Sequence, residues 1–248
     1  MDLYGLIGKQ LSHSWSEKFF TAKFEKDKIR ASYKLFPLAT IELLPDLIQN
    51  NPGLKGLNVT IPYKRNILPY LDAIEMEAKL SGSVNTILIK RNKSVNKLIG
   101  YNTDITGFAA TIDCCIKKNS ISALVLGTGG ASKSVQFVLR KKGISYTLVS
   151  RENRKMEQLS YKMITNDDIA SNLLIINTSP VGMYPDVGEA PAIPYEYLTK
   201  DHILIDLIYN PETTIFLQKG KEKGAKIMNG LTMLHSQAEA SWKIWNKG

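Results

Sequence analysis

Gly127-Thr128-Gly129-Gly130-Ala131 stands between an apolar run, Ala123-Leu124-Val125-Leu126, and a helical pattern from Ser132 to Lys142 with Val135, Val138 and Leu139 on one face. Glycines at a strand-to-helix turn let the backbone approach a pyrophosphate, whose charge then meets the amides of the helix N-terminus. Taken alone, a Gly-Gly pair also makes an ordinary tight turn. Gly143 stops the helix, and Tyr146-Thr147-Leu148-Val149 reads as the next strand. A site for NAD carries Asp or Glu at the end of that strand to hold the ribose 2′-hydroxyl. Here that position, 23 residues after Gly127, is Ser150, followed by Arg151 and, within the same basic cluster, Lys155. A hydroxyl and cations suit a 2′-phosphate, so the segment reads as an NADP site. Glu152 opposes the phosphate, although its side chain alternates with that of Arg151. The last position of the usual glycine fingerprint is Ser132.

A second set of polar residues resists a packing explanation. Reducing a ketone with a nicotinamide needs a proton on the oxygen as well as a hydride on the carbon. Lys64 follows a strand end and a proline, where a loop projects it into the cleft; by itself it reads as a surface lysine. Asn102-Thr103-Asp104, read as the end of another strand, brings in a carboxylate able to orient and tune a lysine ammonium that gives up its proton. Ser14 and Ser16, two apart on an extended segment, point the same way and can both reach one carboxylate. The competing reading is that such a serine caps the following helix. His13 reads as a structural hydrogen-bonder. Tyr209, in Asp206-Leu207-Ile208-Tyr209, either lines a site or is a core aromatic at a strand end.

The elements that must hold these residues follow from the remaining pattern. Strands are expected at Leu3 to Ile7, Tyr33 to Phe36, Gly56 to Thr60, Leu173 to Asn177 and Ile203 to Leu207. Ser83 to Lys90 and Lys97 to Tyr101 read as a hairpin. Helices are expected at Ser16 to Lys28, Leu43 to Gln49, from Thr106 onward, and at Met233 to Trp245. Strands alternating with helices imply βαβ units, largely parallel sheets with one antiparallel edge, and two α/β domains facing each other across a cleft. A chain of 248 residues has room for both.

Composition narrows the function classes. No apolar run approaches a membrane span and no signal pattern opens the chain, so a cytoplasmic protein is expected. The net charge of +9 is spread over scattered lysines without a nucleic-acid motif, which reads as a solvated surface that also collects anionic ligands. The only cysteines, Cys114 and Cys115, are adjacent, a spacing that fits neither zinc nor a redox pair. With three isolated histidines, no catalytic metal is expected.

Several motifs together resemble the shikimate dehydrogenase family. They are Ser12-His13-Ser14-Trp15-Ser16, Asn58-Val59-Thr60-Ile61-Pro62-Tyr63-Lys64, Ser83-Val84-Asn85-Thr86, Gly100-Tyr101-Asn102-Thr103-Asp104, the glycine turn, and Asn229-Gly230 through Gln237-Ala238. The resemblance runs nearly end to end in chain order. It implies an α/β catalytic domain (residues 1–105, completed by a C-terminal helix in 230–248) around a Rossmann-like NADP-binding domain (106–229). It implies NADP-dependent, reversible reduction of 3-dehydroshikimate to shikimate by a monomer or homodimer. Lys64 matches the catalytic lysine, with Asp104 beside it. Ser14 and Ser16 match carboxylate binders; Thr60, Asn85, Asp104, Tyr209 and Gln237 match positions around the ring hydroxyls. Gly127, Thr128, Gly129, Gly130, Ala131, Ser150, Arg151 and Lys155 match NADP-binding segments, and Leu207 and Gly230 match positions near the nicotinamide. Gln10 and Glu17 replace prolines usual in the family, and Ser150 and Glu152 replace Asn and Thr. The alternatives are an NAD-using quinate/shikimate dehydrogenase and a catalytically silent dinucleotide sensor.

Overall fold

The computed structural model describes residues 1–11, 14–91, 96–116, 121–151 and 158–246. They form two compact units: Met1–Thr103 with Gln237–Gly248, and Asp104–Ser236.

The first unit contains β1 (Asp2–Gly8), α1 (Trp15–Lys26), β2 (Ala31–Pro37), α2 (Leu44–Asn50), β3 (Leu54–Val59), α3 (Tyr63–Asn66), β4 (Ala73–Ile74), α4 (Met76–Ser81), β5 (Thr86–Arg91) and β6 (Asn96–Tyr101). Its sheet runs β2-β1-β3-β5-β6-β4. Every pairing is parallel except those of β5, which is antiparallel to both neighbours. The reversed strand therefore lies inside the sheet, not at the expected edge, because the β5–β6 hairpin inserts between β3 and β4. Both faces are covered, so the strands are apolar on successive residues. Ile7, Leu57, Val59, Ile87 and Ile89 pack on one side. Tyr4, Leu6 and Leu88 join Phe20, Phe24, Tyr33 and Trp245 on the other.

Trp245 belongs to α9 (Leu231–Trp245), the last helix, whose closing residues complete this unit. Its indole stacks on Tyr4 with centroids 4.9 Å apart and donates to the Ile87 carbonyl at 3.0 Å. A Cβ at residue 56 would strike that indole, which is why β3 carries Gly56 there.

The second unit begins within α5 (Thr103–Cys115) and continues through β7 (Ala123–Leu126), α6 (Gly130–Lys141), β8 (Tyr146–Ser150), β9 (Gln158–Ser160), α7 (Asn166–Ser171), β10 (Leu174–Asn177), β11 (Ile203–Asp206), α8 (Ile215–Glu222) and β12 (Lys226–Met228). Its sheet is parallel throughout, in the order β12-β11-β10-β7-β8-β9. The chain leaves β7 toward β8 on one side and returns to β10 on the other. The switch point of this doubly wound sheet thus lies between β7 and β10, where such folds bind ligands at the strands' carboxyl ends. Buried Val125, Ile176 and Ile205 face α6 and its Val135, Val138 and Leu139.

Two local expectations are corrected. Asn102-Thr103-Asp104 does not end a strand: β6 stops at Tyr101, and Thr103 and Asp104 open α5. The cause is the Asn85 side chain, whose Oδ1 takes the Thr103 backbone N–H at 2.7 Å and draws it away from the sheet. Lys64 is not on a loop but in the single helical turn α3, beside Tyr63, whose buried hydroxyl donates to the Leu38 carbonyl at 2.7 Å.

At the end of β11, buried Asp206 ties three segments together. It accepts from Thr214 at the start of α8 (2.6 Å), from Asn177 at the end of β10 (3.1 Å) and from the Ile208 backbone (3.1 Å). Burial nonetheless outweighs these donors and pushes its carboxyl up from 3.8 to about 6. A raised folded-state value adds stability that is complete below the unfolded value and is lost as pH rises through the folded one. Compared with Asp206→Asn, the parent protein should therefore lose roughly 3 kcal/mol of relative stability between pH ~4 and pH ~7. Urea melts across that range check this; parallel curves would mean that Asp206 titrates normally.

Candidate active site

In the first unit, Ser14 is extended at the start of α1 (φ −86°, ψ 120°), and its side chain makes no capping bond. Ser16 already lies in the first helical turn, so the two serines do not share the extended segment expected from their spacing. The hydroxyl of Ser16 bonds that of Tyr33, whose own ionisation burial holds well above the ordinary phenol range. His13 lies outside the described residues. Thr60 follows β3 directly, its N–H donating to Ile7 at 2.9 Å and its carbonyl receiving Tyr63 at 2.9 Å. That tight turn leads into α3 and sets Lys64 half-buried, with its carbonyl held by the Val84 N–H at 2.8 Å.

Asn85 and Gln237, 152 residues apart in sequence, meet directly: Asn85 Nδ2 donates to Gln237 Oε1 at 3.1 Å. Asn85 Oδ1 is taken by Thr103, through the backbone amide at 2.7 Å and the hydroxyl at 3.1 Å, and by the Thr86 hydroxyl at 3.1 Å. Behind this pair lie groups to which the sequence alone assigned no role. Ser241 Oγ is 2.9 Å from Asn58 Nδ2 and 2.9 Å from Thr86 Oγ1, and Asn58 Oδ1 receives the Tyr33 hydroxyl at 2.8 Å. One signal was available: Ser241 lies four residues after Gln237, on the same face of a helix. Asn58 and Thr86 sit in the motifs already singled out.

In the second unit, Asp104 is 1% exposed in the first turn of α5, where a helix N-terminus favours negative charge. The glycine turn has the form an anion site requires. Gly127 has φ +110°, and a Cβ there would press on Thr178 Oγ1, itself bonded to the Leu126 carbonyl at 2.8 Å. Gly129 is the N-cap of α6; no side chain caps it, and a Cβ there would meet nothing within 4 Å. The helix start thus presents amides, beside Gly130 and Ala131, to open space next to Thr128. Ser132 explains its departure from glycine: its buried hydroxyl donates to the Gly127 carbonyl at 2.7 Å and clamps the turn.

Ser150 ends β8 buried, and Arg151 follows it exposed. Arg151 lies close enough to Tyr161 to oppose the burial that raises that phenol to about 12. Lys155 and Glu152 lie outside the described residues. Past β11, the Leu207 N–H donates to Asn177 at 3.0 Å, and the Gly230 N–H donates to Ile208 at 2.9 Å. A Cβ at residue 230 would collide with the Leu207 carbonyl, so a close backbone approach accounts for Gly230. Tyr209, two residues on from Leu207, is half-buried instead of filling the core. Among the described residues, no group of three His, Cys, Asp or Glu side chains could hold a metal, and no helix is long and apolar enough to cross a membrane.

Comparison with known proteins places this arrangement. Residues 6–87 match a family model described as the shikimate dehydrogenase substrate binding domain. The whole chain is 41% identical to the shikimate dehydrogenase (NADP(+)) of Clostridium beijerinckii and covers 93% of it. Among solved structures, shikimate dehydrogenase 1 from Peptoclostridium difficile is similar at a TM-score of 0.84 and 38% identity, over all of this chain and 92% of that one. The enzyme from Thermus thermophilus, in complex with NADP(H) and shikimate, is similar at 0.85 and 28% identity, over all of this chain and 94% of its own. Identity of this extent over the full length of the chain goes beyond a shared fold: the chain belongs to the shikimate dehydrogenase family.

Proposed function

We propose that the chain is an NADP-dependent shikimate dehydrogenase that interconverts 3-dehydroshikimate and shikimate. The observation that carries this reading is the Asn85–Gln237 amide pair, 3.1 Å apart and backed by buried hydroxyls. Apolar packing has no use for such a pair, whereas a ligand rich in hydroxyls does. Identity along the full length to an NADP(+)-dependent relative supports the same reading.

The first unit acts as the substrate domain. Ser14 and Ser16 bind the carboxylate, and Thr60, Asn85, Asp104, Tyr209 and Gln237 bind the ring oxygens. Bound NADP supplies the hydride in one direction and accepts it in the other. Its diphosphate suits the uncapped start of α6 at Gly129-Gly130-Ala131, and its 2′-phosphate suits Ser150, Arg151 and Lys155. Leu207 and Gly230 would hold its nicotinamide end. Lys64 gives its ammonium proton to the substrate oxygen as the ketone is reduced, and the neutral amine takes it back in the reverse reaction. Asp104 is the carboxylate of that acid–base pair. We place the protein in the cytoplasm, where thiols such as Cys114 and Cys115 stay reduced.

Assays of reduced-nicotinamide absorbance with shikimate or quinate, each with NADP or NAD, test the reading. Quinate carries an additional hydroxyl beside the carboxylate, and shikimate should be preferred by at least about 10²-fold in kcat/KM. Comparable rates on both substrates with NAD would favour the quinate-using alternative, and no turnover the silent sensor. Lys64→Ala should lower kcat by about 10²–10⁴-fold with a smaller change in KM; near-normal kcat would remove Lys64 from the mechanism. Arg151→Ala should weaken NADP binding by about 1.5–3 kcal/mol while NAD binding changes little. An equal loss of both cofactors, read by titration, would mean that Arg151 holds the fold and not the phosphate.

A further inference from the structure

An amide side chain offers a donor at one end and an acceptor at the other, and the end facing a ligand decides what the ligand must bring. Around Asn85 the choice is forced. The Thr103 backbone N–H can only donate, and it lies 2.7 Å from Asn85 Oδ1. The oxygen is thereby committed to the protein and Nδ2 is turned to Gln237 Oε1. Gln237 in turn has its oxygen occupied and presents Nε2.

The place of Gln237 is forced as well. Ser241, fully buried one turn later, gives its only proton to the Gln237 carbonyl at 2.9 Å. Its oxygen then accepts from Asn58 on β3 at 2.9 Å, and lies 2.9 Å from the Thr86 hydroxyl on β5. Asn58 is oriented by the Tyr33 hydroxyl, which occupies its Oδ1. One serine thus pins α9 to two strands at the level of Asn85.

Resting on the reading of Asn85 and Gln237 as substrate-binding groups, we propose that Ser241, oriented through Asn58, is a positioning residue for them. It sets Gln237 against Asn85 so that the site meets substrate oxygens with N–H donors and not with carbonyl acceptors. The ring oxygens bound there act as acceptors, and their own protons are directed to other groups.

Steady-state kinetics on the full-length chain, with thermal unfolding alongside, test this. Ser241→Ala should raise KM for shikimate about tenfold, the scale of one hydrogen bond, while kcat and KM for NADP stay within about threefold. Gln237→Glu replaces the presented donor with an acceptor without disturbing the buried hub. Relative to the parent, it should raise KM for shikimate more than about 30-fold near pH 8. That penalty should shrink steadily as pH falls toward 5, as a growing fraction of the carboxyl takes up a proton and donates again. An unchanged KM for shikimate in Ser241→Ala, or an equal rise in KM for NADP, overturns the positioning role. A Gln237→Glu enzyme with parental KM at every pH overturns the donor orientation, whether or not Ser241→Ala folds. A parent chain that fails to oxidise shikimate overturns the functional reading and this one with it, whereas an active parent with unaffected variants overturns only this one.

Discussion

The backbone amide of Thr103 needs an acceptor, and in this protein the acceptor is a side chain. Asn85 Oδ1 takes it at 2.7 Å, and much of the first unit depends on that bond. Because the amide leaves the ladder, β6 ends at Tyr101 and α5 begins, so Asp104 falls in a helical first turn instead of at a strand end. Because the oxygen of Asn85 is committed, its nitrogen is directed at Gln237, and the last helix has a polar contact to find as well as an apolar one. Burying so many hydroxyls and amides is tolerable only when each is satisfied, and the Asn85 side-chain oxygen, the Gln237 backbone carbonyl and the Asn58 amide supply that for Thr86, Thr103 and Ser241.

The second unit solves a different problem with the same means. Its sheet is a run of apolar strands, and the glycine turn and the Asn177–Asp206 pair stand at their carboxyl ends. After β7 the polypeptide must turn within a few residues, which Gly127 allows and the Ser132 hydroxyl locks. After β10 and β11 the turns are organised by Asn177 and Asp206, which face each other across the two strands. A buried carboxylate is costly, yet here it gathers a helix start, a strand end and a loop around one oxygen pair. The N-cap of α6, Gly129, contributes no side-chain cap to the donor-rich helix start, which is the form expected of a surface kept ready for an anion.

Much of this was legible in the sequence because its cause is local. The glycine turn, the apolar face of α6 and the short strands are written in neighbouring residues, and they stand where the pattern put them. What was misread depended on distant partners. The helix start at Thr103 is decided by Asn85, and the interior place of β5 by pairing with β3, neither visible as periodicity. The spacing of Ser14 and Ser16 reads as one extended segment, whereas the helix begins at Trp15 and leaves Ser14 alone in that conformation. Ser241 carries no local signature because its partners Asn58 and Thr86 lie 183 and 155 residues away. Lys155 falls outside the described residues, and the cofactor reading of that segment rests on Ser150 and Arg151.

The gap left by Gly56 and filled by Trp245 bears on how the polypeptide comes into being. A ribosome releases the strands of the first sheet long before it has made residue 245, and until then one face of that sheet, with Tyr4, Phe20 and Tyr33, lacks its indole cover. The unit Asp104–Ser236, wholly contiguous, is already complete at that moment. Synthesis order and assembly order are thus reversed between the two units: the one begun first is finished last, and its open aromatic surface stays uncovered until residue 245 has been made.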